Sequence, residues 1–447
     1  MSAFKAYDFR GIFGQDFNLE TIYKFGFFLP QLLGGNKILV GRDMRLSSPA
    51  LFDALSKGIT DAGANVYNMG LCTTPMVYYF TAKHNFDGSV MITASHNPKD
   101  HNGLKVSKKG ALPCGYEGGL CEIETKINTT PIIVSPQKGK IIDYLCKDEY
   151  IQFLQQYRYD ISNLNIVIDC SHGMASLLVH DLFGEQPHYL YNILDGNFPN
   201  HDGNPLEEKN VRDLKAQVLQ DRADIGVIFD GDADRVMFVD ELGQFIAPDL
   251  MIALMGHYFG KEKGLHGTYI QDIRTSKSVS EYLHNIGFTP YIWRVGRAYA
   301  ALKLREIDGI FGGEFAGHYY FKDFYYSDSA MMAALIILHI ISDLKKEGIS
   351  VSQIIKNIAS YTNSGEINFK IEKKQEAMEA LKEHFMRQET PTTIMDFDGY
   401  RIEFTDWWFN VRPSNTEPYL RLLMEAQNPE LLSAKLTEAT QIINNIK

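Results

Sequence analysis

The chain has 447 residues, 45% of them hydrophobic and 22% charged, and a formal net charge of −11. A chain of this length exceeds the usual single domain and can bury large cores without disulfide or metal staples. The acidic balance argues against a nucleic-acid binder, although a local arginine cluster can still receive an anionic small molecule.

The first segment, MSAFKAYDFRG, lacks a positive flank leading into an apolar run, so no secretory signal is expected. The five cysteines, Cys72, Cys114, Cys121, Cys146 and Cys170, are odd in number and form no CxxC. A reducing compartment follows, without a disulfide framework or zinc site. The expectation is a cytoplasmic protein with no membrane or nucleic-acid partner.

Along the chain, strand-like apolar runs alternate with helical periods, the mark of α/β architecture. The first unit holds AYDFRG at 6–11 and KILVGRDMR at 37–45. Arg10, Arg42 and Arg45 are each read singly as a structural ion pair. GSVMITASHN at 88–97 then ends in a polar loop with Ser95 beside His96. The paired pattern recurs in NIVIDCSHG at 165–173 with ADIGVIFDGDADR at 223–235, and in GTYIQDIRTS at 267–276 with IDGIFGGEFAGH at 307–318. Runs apolar throughout suit strands buried on both faces, and ligands gather beyond the carboxyl ends of such strands. Three similar α/β units are expected, each presenting one functional loop. The run AMMAALIILHII at 330–341 is too short to span a bilayer and reads as a buried helix. After TNSGE at 362–366, EINFKI, TIMDFDGYRIEF, WWFNVRPS and YLRLLMEA read as strands before a last helix from about 429, a smaller α+β unit. The expected domains are 1–145, 146–245, 246–365 and 366–447.

DGDADR carries the clearest chemistry. Asp230, Asp232 and Asp234 alternate, so their carboxylates converge if the backbone curls around a cation, and oxygen-only ligands favour Mg²⁺ or Ca²⁺. A calcium EF-hand would place Glu241 at its twelfth position. It fails, because Arg235 stands where that loop needs glycine and RVMFVD reads as a strand. A solvated acidic turn is the plain alternative, disfavoured because unpaired like charges at a strand end repel. In NVRPSNTEPYLRL at 410–422, Arg412, Ser414, Asn415, Thr416 and Arg421 offer a cradle for phosphate. An ordinary capped turn is the alternative, and the two arginines tilt the reading towards phosphate. GGEFAGH brings Glu314 and His318 between glycines, where a carboxylate can accept two sugar hydroxyls or the loop is simply a strand-to-helix turn. No GxGxxG, GxxxxGK[ST] or GxSxG occurs. Adjacency of Ser95 and His96 is no evidence for a hydrolase dyad, because such groups meet through the fold.

With TASHNP, DGDADR, GGEFAGH and RPSNTEP in that order, the chain resembles the α-D-phosphohexomutase superfamily, and looks closest to its bacterial phosphomannomutase/phosphoglucomutase branch. The resemblance runs over essentially the whole chain. It implies three similar α/β domains with mixed, mainly parallel sheets plus a smaller C-terminal α+β domain, around a central cleft. It implies that Ser95 carries a phosphoryl group, with Mg²⁺ bound by that phosphate and by Asp230, Asp232 and Asp234. It places Arg10 and Lys105 beside the reacting phosphate, with His96 as a loop and phosphate ligand. Arg412, Ser414, Asn415, Thr416 and Arg421 would take the distal phosphate, and Glu314 the sugar O3 and O4 hydroxyls. His318 would orient the sugar or its loop, and Arg235 would help hold the metal loop or the phosphoserine.

Two departures fall on the sugar-facing side: Ala316 where relatives usually carry serine, and Arg294 where they often place lysine. The implied activity is a phosphomannomutase that interconverts mannose 6-phosphate and mannose 1-phosphate, with glucose phosphates as further substrates. It would run through a hexose 1,6-bisphosphate in a monomer or weak dimer. The alternatives are a phosphoglucosamine mutase, a metal-dependent sugar phosphatase using Asp230 as nucleophile, or an inert sugar-phosphate binder.

Overall fold

The computed structural model describes residues 3–414 and 419–446. Four sheets follow one another along the chain. In the first, the strands Phe9–Ile12, His101–Lys108, Gly88–Ile92, Lys37–Arg42, Asn65–Leu71 and Ile141–Asp143 lie in that order, with Leu112–Pro113 beside His101–Lys108. The second has five strands and is built on Ile166–Asp169 and Ile225–Phe229, and the third, also of five, on Gly267–Asp272 and Phe311–Gly313.

A single topological device recurs in all three. Gly88–Ile92 pairs parallel with Lys37–Arg42 on one side and antiparallel with His101–Lys108 on the other. Ile225–Phe229 is parallel to Ile166–Asp169 and antiparallel to Val236–Asp240. Phe311–Gly313 is parallel to Gly267–Asp272 and antiparallel to Tyr319–Phe321. Each functional loop therefore joins a buried parallel strand to its antiparallel return. Its polar residues emerge at the carboxyl end of a strand, where a parallel sheet leaves room for a ligand.

Local chemistry sets the helices between the strands. Asn18 caps Leu19–Leu33 by accepting from the Thr21 amide at 2.9 Å, and Gly34, at φ 69°, ends it in the left-handed conformation. Ser329 caps Ala330–Lys346, whose first thirteen residues are all buried. That burial explains the long apolar run without a membrane, and among the described residues no helix is long and apolar enough to cross one.

One hydrophobic core runs through the first three units, from Leu39 to Ile358. The C-terminal unit, a six-stranded sheet with the helices Lys374–Gln388 and Pro429–Ile446, has its own core around Phe385, Trp407 and Phe409. TIMDFDGYRIEF forms two strands, Thr393–Met395 and Tyr400–Glu403, because Gly399 turns the chain at φ 69°. Polar contacts tie this unit to the third. Arg401 donates to the carbonyls of Ile273 and Thr275 at 3.0 and 2.6 Å, and Val295 N donates to Asp398 at 2.8 Å.

Candidate active site

Ser95 sits three residues past the Gly88–Ile92 strand, buried, at φ 51°. A non-glycine residue in this left-handed region stores on the order of 1–3 kcal/mol, held only where surrounding contacts over-determine it. Thr93 Oγ1 accepts from the Ser95 amide at 2.8 Å. Ser95 Oγ donates to Asp230 Oδ2 at 2.9 Å and lies 3.2 Å from His96 Nδ1. The Ser95–Asp230 contact joins loops 135 residues apart.

Asp230, Asp232 and Asp234 are all buried, and their oxygens converge within 4.8 Å of one another. Asp230 Oδ1 accepts from the amides of Asp234 and Arg235, both at 3.2 Å, which curls the loop inward. Thr74 Oγ1 and Lys105 Nζ both donate to Asp232 Oδ2, and Lys105 Nζ also reaches Asp234 Oδ2. Asp232 Oδ1 and Asp234 Oδ1 are buried with no hydrogen-bond partner. Such orphaned carboxylate oxygens are costly unless a cation meets them. An oxygen-only set of three carboxylates fits a hard divalent ion. Burial, then the neighbouring charges of Asp232 and Asp234, push the Asp230 carboxyl well above its ordinary range.

The cations nearby hold their charge. Burial works against the Lys105 ammonium, but Asp232 and Asp234 outweigh it and raise its pKa. Arg10 is held charged in the same way by Asp8, Asp232 and Asp234 against its burial. It pairs with Asp8 and donates to Asn97 Oδ1 at 2.8 Å, beside Ser95. His96 is pushed well below its usual pKa by burial and by Arg235, Arg10 and Lys105, so it is neutral at pH 7.

The third unit reaches the Asp230–Asp234 loop through His318. Its Nε2 lies 3.0 Å from Arg235 Nε, and its Nδ1 lies 2.7 Å from Asp328 Oδ2. Arginine only donates, so Nε2 accepts and Nδ1 carries the proton. Asp328 also accepts from Arg297 Nε at 2.8 Å, and the Arg297 guanidinium lies 3.5 Å over the Tyr78 ring of the first unit. Glu314 is buried, accepting from Tyr320 OH at 2.6 Å and from Gly296 N at 3.3 Å. Burial, more than any neighbour, raises its pKa. Arg294 packs over the Tyr299 ring at 4.2 Å, two residues from Gly296.

In the fourth unit, Arg412 and Arg421 stand directly opposite each other on paired strands. Ser414 N donates to Tyr419 O at 2.9 Å. Asn415 and Thr416 lie outside the described residues. Glu366 accepts from Arg274 at 3.3 Å and pairs with Arg421 at 3.1 Å, linking the Tyr419–Ala426 strand to the third unit.

The sequence named His96 and Asp230, which meet Ser95 here, but not Thr93, Thr74, Asp328, Arg297 or Arg274. Thr74 carried only a helix-start signal, the TTP at 73–75. The one available hint for Asp328 was a carboxylate two residues before the apolar run AMMAALIILHII.

Gly231 allows the two key loops to touch, since a Cβ there would lie 2.6 Å from the Ser95 carbonyl oxygen. Gly231→Ala is expected to lower kcat by about 10-fold or more by displacing Ser95. Circular dichroism would report an intact fold, and an unchanged kcat would contradict the close approach.

Comparison with known proteins covers the whole chain. Residues 1–131, 148–243 and 247–361 match the models of phosphoglucomutase/phosphomannomutase alpha/beta/alpha domains I, II and III, and residues 366–439 match the C-terminal domain. The chain is 33% identical over 458 residues to a phosphomannomutase of Escherichia coli strain K12, covering 99% of each. It is 35% identical over 464 residues to a phosphomannomutase of Vibrio cholerae serotype O1, covering 100% of this chain and 99% of the other. A crystal structure of a phosphoglucomutase/phosphomannomutase family protein from Burkholderia thailandensis superposes with a TM-score of 0.86 at 26% identity, over 99% of this chain and 97% of that one.

Proposed function

Because this chain belongs to the phosphoglucomutase/phosphomannomutase family, we propose that it interconverts mannose 6-phosphate and mannose 1-phosphate, with glucose phosphates as a second pair, in the cytoplasm. The observation that carries this reading is Ser95 Oγ, buried and 2.9 Å from Asp230, beside charged Lys105 and Arg10. A hydroxyl so placed suits a phosphoryl carrier, because phosphoryl transfer needs positioning and charge stabilisation above all.

Phosphoserine 95 gives its phosphoryl group to the free O1 or O6 of a bound hexose monophosphate. The P–Oγ bond breaks as the new P–O bond forms, and the proton that the sugar hydroxyl gives up is balanced by the one that Ser95 Oγ takes up as it returns to a free hydroxyl. The resulting hexose 1,6-bisphosphate turns end for end, and its other phosphoryl returns to Ser95. Lys105 and Arg10 stay charged and stabilise the transferring group, and His96, 3.2 Å from Ser95 Oγ, is a loop and phosphate ligand. Asp230, Asp232, Asp234 and the Ser95 phosphate would hold Mg²⁺, which supplies electrostatic stabilisation of the phosphoryl oxygens when bound. Glu314 takes the sugar hydroxyls, and His318, fixed by Asp328, orients its loop. Arg412, Ser414, Asn415, Thr416 and Arg421 hold the distal phosphate, with Arg294 on the sugar side.

A phosphatase with Asp230 as nucleophile is less well supported. Both Asp230 oxygens already accept hydrogen bonds, one of them from Ser95. The test is a coupled assay with the 1-phosphates of mannose, glucose and glucosamine. Mannose and glucose 1-phosphates are expected to turn over, with kcat/KM for glucosamine 1-phosphate at least about 10-fold lower. A preference for glucosamine would replace the mannose assignment, and release of inorganic phosphate without isomerisation would favour the phosphatase.

A further inference from the structure

The segment GRDMR at 41–45 ends in a guanidinium with no exposure to solvent. All five of its N–H donors are used. Nε donates to Asp43 Oδ2 at 3.1 Å. Nη1 donates to the carbonyls of Pro98 at 2.6 Å and His101 at 3.0 Å, and Nη2 to those of Ser95 at 2.8 Å and Asn97 at 2.6 Å. Four main-chain carbonyls of the segment carrying Ser95 thus converge on one side chain.

The guanidinium is itself held in place. Asp43 accepts from Ser48 Oγ at 2.5 Å and from the Arg45 amide at 3.1 Å. Asn102 Nδ2 donates to Ser48 Oγ at 3.0 Å. From the second unit, the Phe198 ring covers the guanidinium at 5.2 Å, and a Cβ on Gly231 of the metal loop would lie 3.7 Å from that same ring. Arg45 therefore sits where the serine loop of the first unit meets the metal loop of the second.

A buried cation with one carboxylate partner is tolerated when its remaining donors are satisfied, and a rigid planar fork satisfies several fixed acceptors at once. Lysine offers three donors from one point and cannot span the same four carbonyls. Ser95 occupies the left-handed region at φ 51°, which persists only where contacts over-determine it.

We propose that Arg45 is a positioning residue for phosphoryl transfer, its guanidinium holding the carbonyls of Ser95, Asn97, Pro98 and His101 so that Ser95 Oγ faces Asp230. This rests on Ser95 being the carrier. It separates Arg45 from a plain structural ion pair with Asp43, which would stabilise the fold and leave the folded enzyme's chemistry unchanged.

The experiment compares wild type, Arg45→Lys and Arg45→Ala for kcat, KM and thermal midpoint, and for phosphate uptake on Ser95 from hexose 1,6-bisphosphate by intact mass. In Arg45→Lys, kcat is expected to fall roughly 100-fold with KM for the hexose phosphate within about two-fold, since the chemical step suffers and substrate binding does not. Uptake on Ser95 slows by a similar factor. Guanidinium ion restores part of the kcat of Arg45→Ala, and sodium chloride at equal concentration does not. A folded Arg45→Lys with wild-type kcat and only a lower thermal midpoint overturns the proposal, and it decides the matter if Arg45→Ala fails to fold. Wild-type protein that takes up no phosphoryl group at Ser95 overturns the carrier reading instead. Normal uptake in both wild type and Arg45→Lys overturns the Arg45 assignment alone.

Discussion

Ser95→Ala is expected to abolish mutase turnover, lowering kcat by at least about 10⁴-fold, the scale seen when an enzyme loses its covalent group. The expectation follows from the site: the Ser95 hydroxyl is the group that the strained loop, Asp230 and the nearby cations converge upon. Truncation removes one buried oxygen and leaves the Arg45 contacts to the backbone in place, so the thermal midpoint should change little. The check is the coupled mannose 1-phosphate assay together with intact mass. Wild-type protein incubated with hexose 1,6-bisphosphate should gain one phosphate at Ser95, and the variant none. Turnover retained in Ser95→Ala, with phosphate on another residue, would sink the carrier role.

Metal removal is expected to have the second large effect. Lys105 is the cation that hydrogen-bonds this carboxylate cluster, touching Asp232 and Asp234, while Asp230 meets main-chain amides and a serine hydroxyl. Three converging buried carboxylates with two orphaned oxygens leave negative charge uncompensated. EDTA is therefore expected to reduce activity by at least about 100-fold, and added Mg²⁺ to restore it, because charge on the transferring group loses its main stabiliser. Binding to the folded state also stabilises it. Mg²⁺ at a hundred times its dissociation constant should raise stability by about 2.7 kcal/mol, read as a higher thermal midpoint. Asp232→Asn should weaken both responses together. Full activity in EDTA, with a midpoint indifferent to Mg²⁺, would refute the metal reading.

Local sequence carried much of this. The apolar runs ending at Ile92, Phe229 and Gly313 announced buried strands, and the alternation in DGDADR announced converging carboxylates, because both depend on backbone geometry within a few residues. Arg45 was legible as an ion-pair partner, and Asp43 two residues away is that partner. Its hold on the Ser95 loop was not legible, since those carbonyls lie 50 to 56 residues further on and any residue type presents a carbonyl.

Only the tertiary structure could deliver Thr74 to Asp232 across 158 residues, or choose the His318 tautomer through Asp328 and Arg235. The sequence by itself determined which chemical groups are available and at which strand ends they emerge. The tertiary structure decided which of them are buried together, and so which are held towards the charged form, which are pushed away from it and which carboxylate oxygens stay without a partner. Burial and electrostatic coupling act through space, and the chain order of the partners does not encode them.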